Sequence, residues 1–489
     1  MKEPHEYSRS ELERILRACL GRTLEEVDVN HVLTRGAAGN KGYPGAVVEQ
    51  SVLGYPPDSA KRPDLLVDGV ETELKTTGII ESKRPEGGYE AKEPVSITAV
   101  TPKKIVKEEF ESSQLWHKCA HLLFVYYLYA HPATPRDPAT YADFPIMNYM
   151  FEDIDGADKE AIRRDWTIVR DFIRDIQNQY PDNPESQYSR ISSDLNRHRL
   201  TVLDTAPKYP NPPRFRFKRR FVSQFVSRCF DPHYRYEVLP QEYKGIDEVD
   251  AKCHELTVRY RGRTVGELFT LLGIESSRPS KQDAERVIVR MFGGNSHKLS
   301  RVGMFEKYSI TAKSVTVTAN GTRTEDMKLD PIDWDEVQDR TQSFEDSAFR
   351  AGLAENQFLF IVFEEPSHDA PFADNRFLGF KRYTFPEAFI EQEARRTWNE
   401  MRALIFENRL RLVQERLRDG SLRYNKNGTV REAPNWPKAR DHAVFLRGSA
   451  NDSDPQHKTL EINGIRMYPQ NLWVKGTYIT GQIARLDYL

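Results

Sequence analysis

A short acidic stretch in the first quarter of the chain decides the fold: residues 62–77 read RPDLLVDGVETELKTT. Asp68 and Gly69 stand between two apolar runs, which is the signal of a two-residue β-hairpin turn. If these two residues form the turn, Asp64 lies directly opposite Glu73. The stretch therefore predicts a hairpin that brings two carboxylates together.

Side chains alternate along a strand, so Asp64, Glu73 and Lys75 are expected on one face, while Leu65 and Leu74 point into a core. Opposed carboxylates repel each other unless a cation lies between them. Mg²⁺ prefers oxygen ligands and often uses one or two carboxylates. The neighbouring lysine could orient or deprotonate a water, or stabilise charge on a phosphate. A solvated hairpin face, with the lysine softening the repulsion, is the alternative.

Upstream, residues 41–54 (KGYPGAVVEQSVLG) predict one short helix that begins at Pro44 and ends at Gly54. Glu49 lies in its apolar stretch, where a carboxylate is costly without a partner or a metal. The glycines before this helix lack the GK[ST] order of a phosphate loop, so a nucleotide-binding loop is discounted.

The chain also repeats itself at an offset near 240 residues. GRTLEEV at 21–27 recurs as GRTVGEL at 262–268, and FESS at 110–113 recurs as FEDS at 344–347. We therefore predict a duplicated domain, and both copies mix β-rich runs with helical stretches, which indicates an α/β class. The predicted bounds are 1–235 for the first copy, 236–258 for a connector and 259–489 for the second copy.

Composition excludes several classes of protein. The 489 residues include 71 basic and 73 acidic ones, a net charge of −2, which argues against a histone-like or ribosomal protein. We find no apolar run long enough to span a membrane and no secretion signal. The four cysteines are far apart, so neither a disulfide framework nor a zinc site is expected, and a reducing cytoplasm is the expected location.

One segment is strongly basic: residues 190–220 hold nine basic and two acidic residues, a local charge of +7. Such a patch suits contacts with DNA phosphates, and Asn196 is a further candidate for base contacts. A solvated basic strand with its phenylalanines in the core is a compatible alternative. The candidate DNA-binding residues are Arg197, Arg199, Lys208, Arg214, Arg216 and Lys218, with Arg447 and Lys475 for the second copy.

Three ordered motifs, KGYPGAVVEQSVLG, PDLLVDGVETELKTT and FESSQLWHK, resemble the MutH-like branch of the PD-(D/E)xK nucleases. The duplication and the C-terminal stretch look like the two-domain type II restriction endonucleases of that branch, whose known members cut GATC. The resemblance implies two tandem restriction-endonuclease-like domains of α/β (α+β) class with mixed central sheets.

The same resemblance implies a role for each motif residue. Asp64 and Glu73 would ligate Mg²⁺ with Glu49 as a further acidic residue, Lys75 would assist the attacking water, and Lys118 would be an auxiliary lysine. Asp64 and Glu73 are nine residues apart, whereas relatives usually have about seven, so Glu71 stays open as the ligand instead. For His117 and His121, which flank Lys118, packing or a phosphate contact is favoured over catalysis.

The second copy lacks these acidic residues. The offsets place Ile288 at the position of Glu49, Thr311 at that of Glu73 and Gly352 at that of Lys118. The position of Asp64 falls near Val302, and only Lys313, which corresponds to Lys75, keeps its type.

A copy with one lysine and no acidic ligand cannot hold Mg²⁺ in this way, so we expect one active site per chain. The resemblance implies that the second copy binds double-stranded DNA as an effector and that the protein is a monomer that pairs on DNA. We expect a DNA methyltransferase in the same system and cuts that leave a 5′-phosphate. The alternatives are a modification-dependent or strand-nicking endonuclease of the same fold, and a non-catalytic DNA-binding regulator.

Overall fold

The structure, a computed structural model, describes most of the chain. The described residues are 5–35, 42–56, 62–82, 87–130, 138–231, 236–275, 279–280, 283–318, 326–345, 347–367, 370–450 and 452–489.

The first copy contains nine helices and nine strands among its described residues. The helices are α1 Arg9–Arg17, α2 Leu24–Val27, α3 Val32–Arg35, α4 Tyr43–Val47, α5 Pro102–Ile105, α6 Gln114–Cys119, α7 Gly156–Gln179, α8 Arg190–Leu195 and α9 Arg219–Phe230. The strands are β1 Glu6–Tyr7, β2 Leu65–Val67, β3 Val70–Glu81, β4 Tyr89–Ala91, β5 Val95–Ala99, β6 His121–Leu128, β7 Ile146–Asp153, β8 Leu203–Ala206 and β9 Arg214–Phe217.

The remainder of the described chain adds nine helices and ten strands. The helices are α10 Ile246–Tyr260, α11 Val265–Leu271, α12 Ala284–Met291, α13 Gly303–Lys307, α14 Trp334–Gln338, α15 Ala348–Ala354, α16 Glu387–Phe389, α17 Arg395–Phe406 and α18 Gly476–Ile483. The strands are β10 Ile310–Thr318, β11 Met327–Pro331, β12 Gln357–Glu365, β13 Arg376–Tyr383, β14 Leu412–Gln414, β15 Glu432–Pro434, β16 Val444–Gly448, β17 Leu460–Ile462, β18 Ile465–Met467 and β19 Gln470–Val474.

The chain divides into two compact units. Unit 1 comprises Met1–Val249 and Ile288–Thr311, and unit 2 comprises Asp250–Val287 and Ala312–Leu489. Residues 288–311, which the sequence offsets assign to the second copy, thus belong to unit 1. None of the helices in the described ranges is long and apolar enough to cross a membrane. The four cysteines are free thiols.

The main sheet of the first copy has the strand order β1-β2-β3-β6-β7, with β4 paired to β3. Strands β3 and β6 run parallel, whereas β6 and β7 run antiparallel, so the sheet is mixed. Together with the helices listed above, this confirms the predicted α/β class with mixed central sheets.

The predicted hairpin and its register are confirmed. In β2 and β3, Leu65 pairs with Thr72 and Val67 pairs with Val70. The turn residues Asp68 and Gly69 have φ angles of 47° and 82°, and two positive φ angles are the signature of a type I′ turn. On the inner face, Leu65 and Leu74 are buried in one core cluster, as expected.

The two copies share part of their sheet topology. Strand order β3-β6-β7 in the first copy corresponds to β10-β12-β13 in the second, where β12 and β13 are again antiparallel. Each copy also has a three-stranded sheet, β5-β9-β8 in the first and β11-β19-β16 in the second. The middle strand of each of these sheets is followed by a helix, α9 or α18.

Local details repeat as well. Thr23 caps α2 in a reciprocal capping box with Glu26, and Thr264 caps α11 in the same way with Glu267. The repeated geometry extends to the caps of α6 and α15, which begin after Ser113 and Ser347. These matching contacts support a duplication.

Candidate active site

The hairpin register extends naturally to Asp64 and Glu73. The last ladder pair is Leu65 with Thr72, and Asp64 and Glu73 are the next residues on the two strands. One Asp64 carboxylate oxygen accepts a hydrogen bond of 3.0 Å from the backbone N–H of Leu74. The side chain is thereby fixed beside the strand that carries the second carboxylate.

Glu73 lies at the centre of the site and is only 2% exposed. Lys75 Nζ donates to Glu73 Oε1 at 2.7 Å. Lys118 Nζ, from the last turn of α6, donates to both carboxylate oxygens of Glu73 at 3.1 and 3.0 Å. Two ammonium groups thus converge on one buried carboxylate, and the structure brings together four residues that the sequence separated by up to 54 positions.

The electrostatics of Asp64 reflect this crowding. Burial and then the neighbouring Glu73 carboxylate raise the pKa of Asp64, while Lys75, Lys118 and the Leu74 N–H act in the opposite direction. A positive charge nearby favours the charged form of a carboxylate that lies close to a second carboxylate. In this structure the two lysines supply that charge.

Glu49 comes from a helix whose bounds match the prediction. Helix α4 has Pro44 in its first turn and continues as a π-helical segment, Val48–Leu53, which Gly54 ends with a left-handed φ of 79°. π-helical turns inside α-helices are frequent at functional sites. Glu49 lies in this segment and is half-buried.

Tyr55 lies within the electrostatic influence of the three carboxylates. Burial raises the pKa of the Tyr55 hydroxyl, and the charges of Glu49, Asp64 and Glu73 raise it further. Its oxygen is buried with no hydrogen-bond partner in the part of the chain that the structure describes. The sequence analysis did not identify Tyr55 as a site residue. The available signal was its position directly after Gly54, which ends the helix that carries Glu49.

Glu71 occupies a different environment from Glu73. Its side chain is 50% exposed and contacts His117, whose Nε2 lies 3.2 Å from Glu71 Oε2. His121 is paired with Asp153 at 2.7 Å. The geometry therefore favours Glu73 as the partner of Asp64, because Glu73 is the carboxylate that both lysines contact.

The donor set fits Mg²⁺. In the described ranges, no group of three or more histidine, cysteine, aspartate or glutamate side chains is arranged to hold a metal ion. Mg²⁺ commonly takes one or two protein carboxylates and completes its shell with water and phosphate oxygens. Asp64 and Glu73 are two carboxylates placed next to each other by the hairpin register and by the hydrogen bond from Leu74 N–H to Asp64.

Some basic side chains of residues 190–220 are exposed, and others are engaged in contacts within the protein. Arg199, Lys208 and Arg214 are exposed. Arg216 is half-buried and makes a bidentate ion pair with Asp204, at 2.7 and 2.9 Å. Its guanidinium is thus already engaged within the sheet.

Two of the candidate DNA contacts need correction. Lys218 is 2% exposed, and its Nζ donates to the carbonyls of Leu200 at 2.6 Å and Asn196 at 3.1 Å. Arg197 is 6% exposed. Because a buried cation cannot meet a phosphate at the surface in this conformation, we remove both from the proposed DNA surface. The phenylalanines of the segment are buried in the core, as expected for a basic strand with one solvated face.

A buried carboxylate that the sequence analysis did not identify binds the backbone next to this basic segment. Asp165 of α7 is completely buried and accepts hydrogen bonds from the backbone N–H groups of Thr201, Val202 and Leu203, at 2.8–2.9 Å. Burial raises the pKa of Asp165, while these N–H groups and Lys218 oppose that effect. Its position in an apolar helix face, between Ile162 and Val169, was the available signal.

The corresponding positions of the second copy carry no carboxylate. Ile288 and Val302 are fully buried apolar residues. Thr311 accepts a hydrogen bond from Arg220 at 3.0 Å. Lys313 on β10 donates to the carbonyl of Lys328 at 2.9 Å.

The two basic candidates of the second copy differ in exposure. Arg447 is exposed, pairs with Asp326 at 2.6 Å and stacks over the ring of Trp473. Lys475 is half-buried at the start of α18. A role in DNA binding stays a prediction for both.

Comparison with known proteins agrees with the motifs. Residues 53–165 match the family model of the DNA mismatch repair enzyme MutH, a span that includes Asp64, Glu73, Lys75 and Lys118. The chain is also similar to the type II restriction enzyme Sau3AI of Staphylococcus aureus. The two are 20% identical over 459 residues, which cover 89% of this chain and 91% of that enzyme. The resemblance inferred from the sequence is confirmed.

Proposed function

We propose that this MutH-like chain is a type II restriction endonuclease that hydrolyses phosphodiester bonds in double-stranded DNA with Mg²⁺. The observation that carries the proposal is the buried Glu73 carboxylate, which lies beside Asp64 and receives hydrogen bonds from Lys75 and Lys118. The similarity to a restriction enzyme along most of the chain supports the same conclusion.

Each side chain of the site has a proposed task. Asp64 and Glu73 would hold Mg²⁺, with Glu49 as a further acidic residue, and the ion would supply positive charge that stabilises the reacting phosphate. Lys75 positions the attacking water, and Lys118 fixes the Glu73 carboxylate. The water oxygen bonds to phosphorus in line as the bond from phosphorus to the 3′ oxygen breaks, and the leaving oxygen takes up a proton, so the products are a 5′-phosphate and a 3′-hydroxyl.

The DNA surface of the first copy is proposed from its exposed cations, Arg199, Lys208 and Arg214. Lysine and arginine contacts to phosphates position a duplex and make its affinity depend on salt. The second copy, which lacks the acidic residues, is proposed to bind DNA without cutting it. Such a chain has one active site, and we propose that two monomers pair on DNA to cut both strands.

Incubation of the purified protein with unmethylated, methylated and otherwise modified plasmid, with and without Mg²⁺, tests the function, and the ends are then sequenced. We expect Mg²⁺-dependent double-strand cuts at a fixed sequence in plain DNA, with protection by methylation. Cuts in modified DNA alone would indicate a modification-dependent enzyme, and single-strand breaks alone a nickase. Binding without any cleavage would instead indicate a DNA-binding regulator.

The single-site proposal makes a paired prediction for the two corresponding lysines. Lys75→Ala is expected to lower the cleavage rate by roughly 10²–10⁴-fold, the usual range for a group that assists the nucleophile. Lys313→Ala is expected to leave the rate within about twofold, because Lys313 donates to the backbone carbonyl of Lys328 and the positions of the second copy that correspond to Glu49 and Glu73 carry Ile288 and Thr311. Initial rates of plasmid cleavage at saturating Mg²⁺ measure both. A comparable loss in the two variants would refute the assignment of one active site to the first copy.

A further inference from the structure

The two copies differ in the connection between a long helix and the three-stranded sheet. In the first copy, residues 180–202 join α7 to β8 and include the exposed Arg199. In the second copy, the corresponding connection joins α17 to β16 and spans residues 407–443. It is longer because it contains a small β-structure, residues 411–435, which we call the branched hairpin.

The branched hairpin has a two-stranded stem and two arms. The stem pairs β14 with β15, from Leu412 opposite Pro434 to Gln414 opposite Glu432. One arm turns at Asp419-Gly420 and the other at Asn427-Gly428. Both glycines have a left-handed φ, 87° for Gly420 and 81° for Gly428, as tight hairpin turns require.

A closed set of backbone hydrogen bonds joins the stem to the arms. Glu415 N–H donates to Arg431 C=O, Arg423 N–H to Glu415 C=O, and Arg431 N–H to Arg423 C=O, at 2.7–2.9 Å. The Glu415 carboxylate lies 3.5 Å from the Arg423 guanidinium and 3.0 Å from that of Arg431. These contacts connect both arms to the stem.

The surface of this element is basic. Residues 411–435 contain six basic and three acidic residues, a net charge of +3 in a chain of net charge −2. Glu415 engages two of the arginines, while Arg418 and Lys426 stand exposed next to the two turns. Between them, Leu417 and Tyr424 are 50% and 59% exposed.

We propose that the branched hairpin is a DNA-binding element of unit 2 and that it contacts the phosphates of a duplex through Arg418 and Lys426. This proposal rests on the proposed function, because it assumes that the protein binds DNA. The charge of the element complements a phosphate backbone, and a two-stranded β-ribbon has the width that the major groove admits. The exposed Tyr424 adds an amphipathic side chain that can pack on sugar or base edges.

Fluorescence anisotropy of the full chain with a labelled duplex, in EDTA so that no cleavage occurs, tests the proposal. The variant Arg418→Glu/Lys426→Glu is expected to bind at least about tenfold more weakly near 100 mM salt. The neutral variant Arg418→Ala/Lys426→Ala is expected to reduce the slope of log affinity against log salt by about 2, since two phosphate contacts are lost.

The control is Arg259→Glu/Arg485→Glu, which makes the same charge change at two exposed arginines of unit 2 outside the hairpin. We expect this control to bind within about threefold of the parent chain, and thermal unfolding verifies that all variants are folded. Equal binding by the hairpin and control variants would overturn the proposal. So would a hairpin variant that binds DNA normally but loses self-association in sedimentation, because a second copy would then be the occupant. Binding is measured without cleavage, so the result does not depend on whether the chain is a nuclease.

Discussion

Replacing Glu73 with Gln is expected to lower DNA cleavage on the order of a thousandfold or more while duplex binding persists. The substitution keeps the size of the side chain but removes the charge that Asp64, Lys75 and Lys118 surround. A neutral amide is a poorer ligand for Mg²⁺, and it offers the two ammonium groups one uncharged acceptor oxygen in place of two charged ones. Cleavage of a plasmid and binding of a labelled duplex, measured side by side, separate the loss of chemistry from the loss of affinity.

The matched control is Glu71→Gln, on the same strand and two residues away. Glu71 is half-exposed and contacts His117, and an exposed polar contact of this kind contributes little, so near-parental cleavage is expected. Circular dichroism and thermal unfolding check the Glu73 variant, because removal of a buried anion leaves two lysines without their partner. If the Glu71 variant were inactive and the Glu73 variant active, the metal ligand would be Glu71.

The local parts of this site were predictable from the sequence because they depend on neighbouring residues. Asp68 and Gly69 specify a type I′ turn, and the turn alone fixes the register that places Asp64 beside Glu73. The short helix before it is also bounded by local signals, Pro44 and Gly54. Its π-helical second half has no such signal, since it depends on how the helix packs.

Long-range contacts explain what local sequence signals do not predict. The count of charges over 190–220 is correct, but it cannot tell that Lys218 turns inward to the carbonyls of Leu200 and Asn196. Nor does a sequence offset reveal that residues 288–311 belong to unit 1. In both cases the residues that make the contacts are far apart in the sequence, and only folding brings them together.

Removal of the Asp165 carboxylate is expected to destabilise unit 1 more than any surface change. Asp165→Ala removes the acceptor of three buried backbone N–H groups, those of Thr201, Val202 and Leu203. An unsatisfied buried donor costs about 1–3 kcal/mol, so we expect a loss of about 4 kcal/mol in the free energy of unfolding. For a unit of this size, that corresponds to a fall of roughly 10 °C in Tm.

The control for this prediction lies on the same helix. Asp171→Ala removes a carboxylate that is 46% exposed and paired with Arg170 and Arg174, and a change within about 0.5 kcal/mol is expected. Denaturant unfolding followed by circular dichroism measures both variants. Because Asp165 and Lys218 together hold the backbone on either side of Arg199, the Asp165 variant should also bind DNA more weakly below its Tm, whereas Asp171→Ala should not. Equal stability of the two variants would mean that residues 201–203 find other acceptors, and Asp165 would then not be the residue that holds this part of the DNA surface.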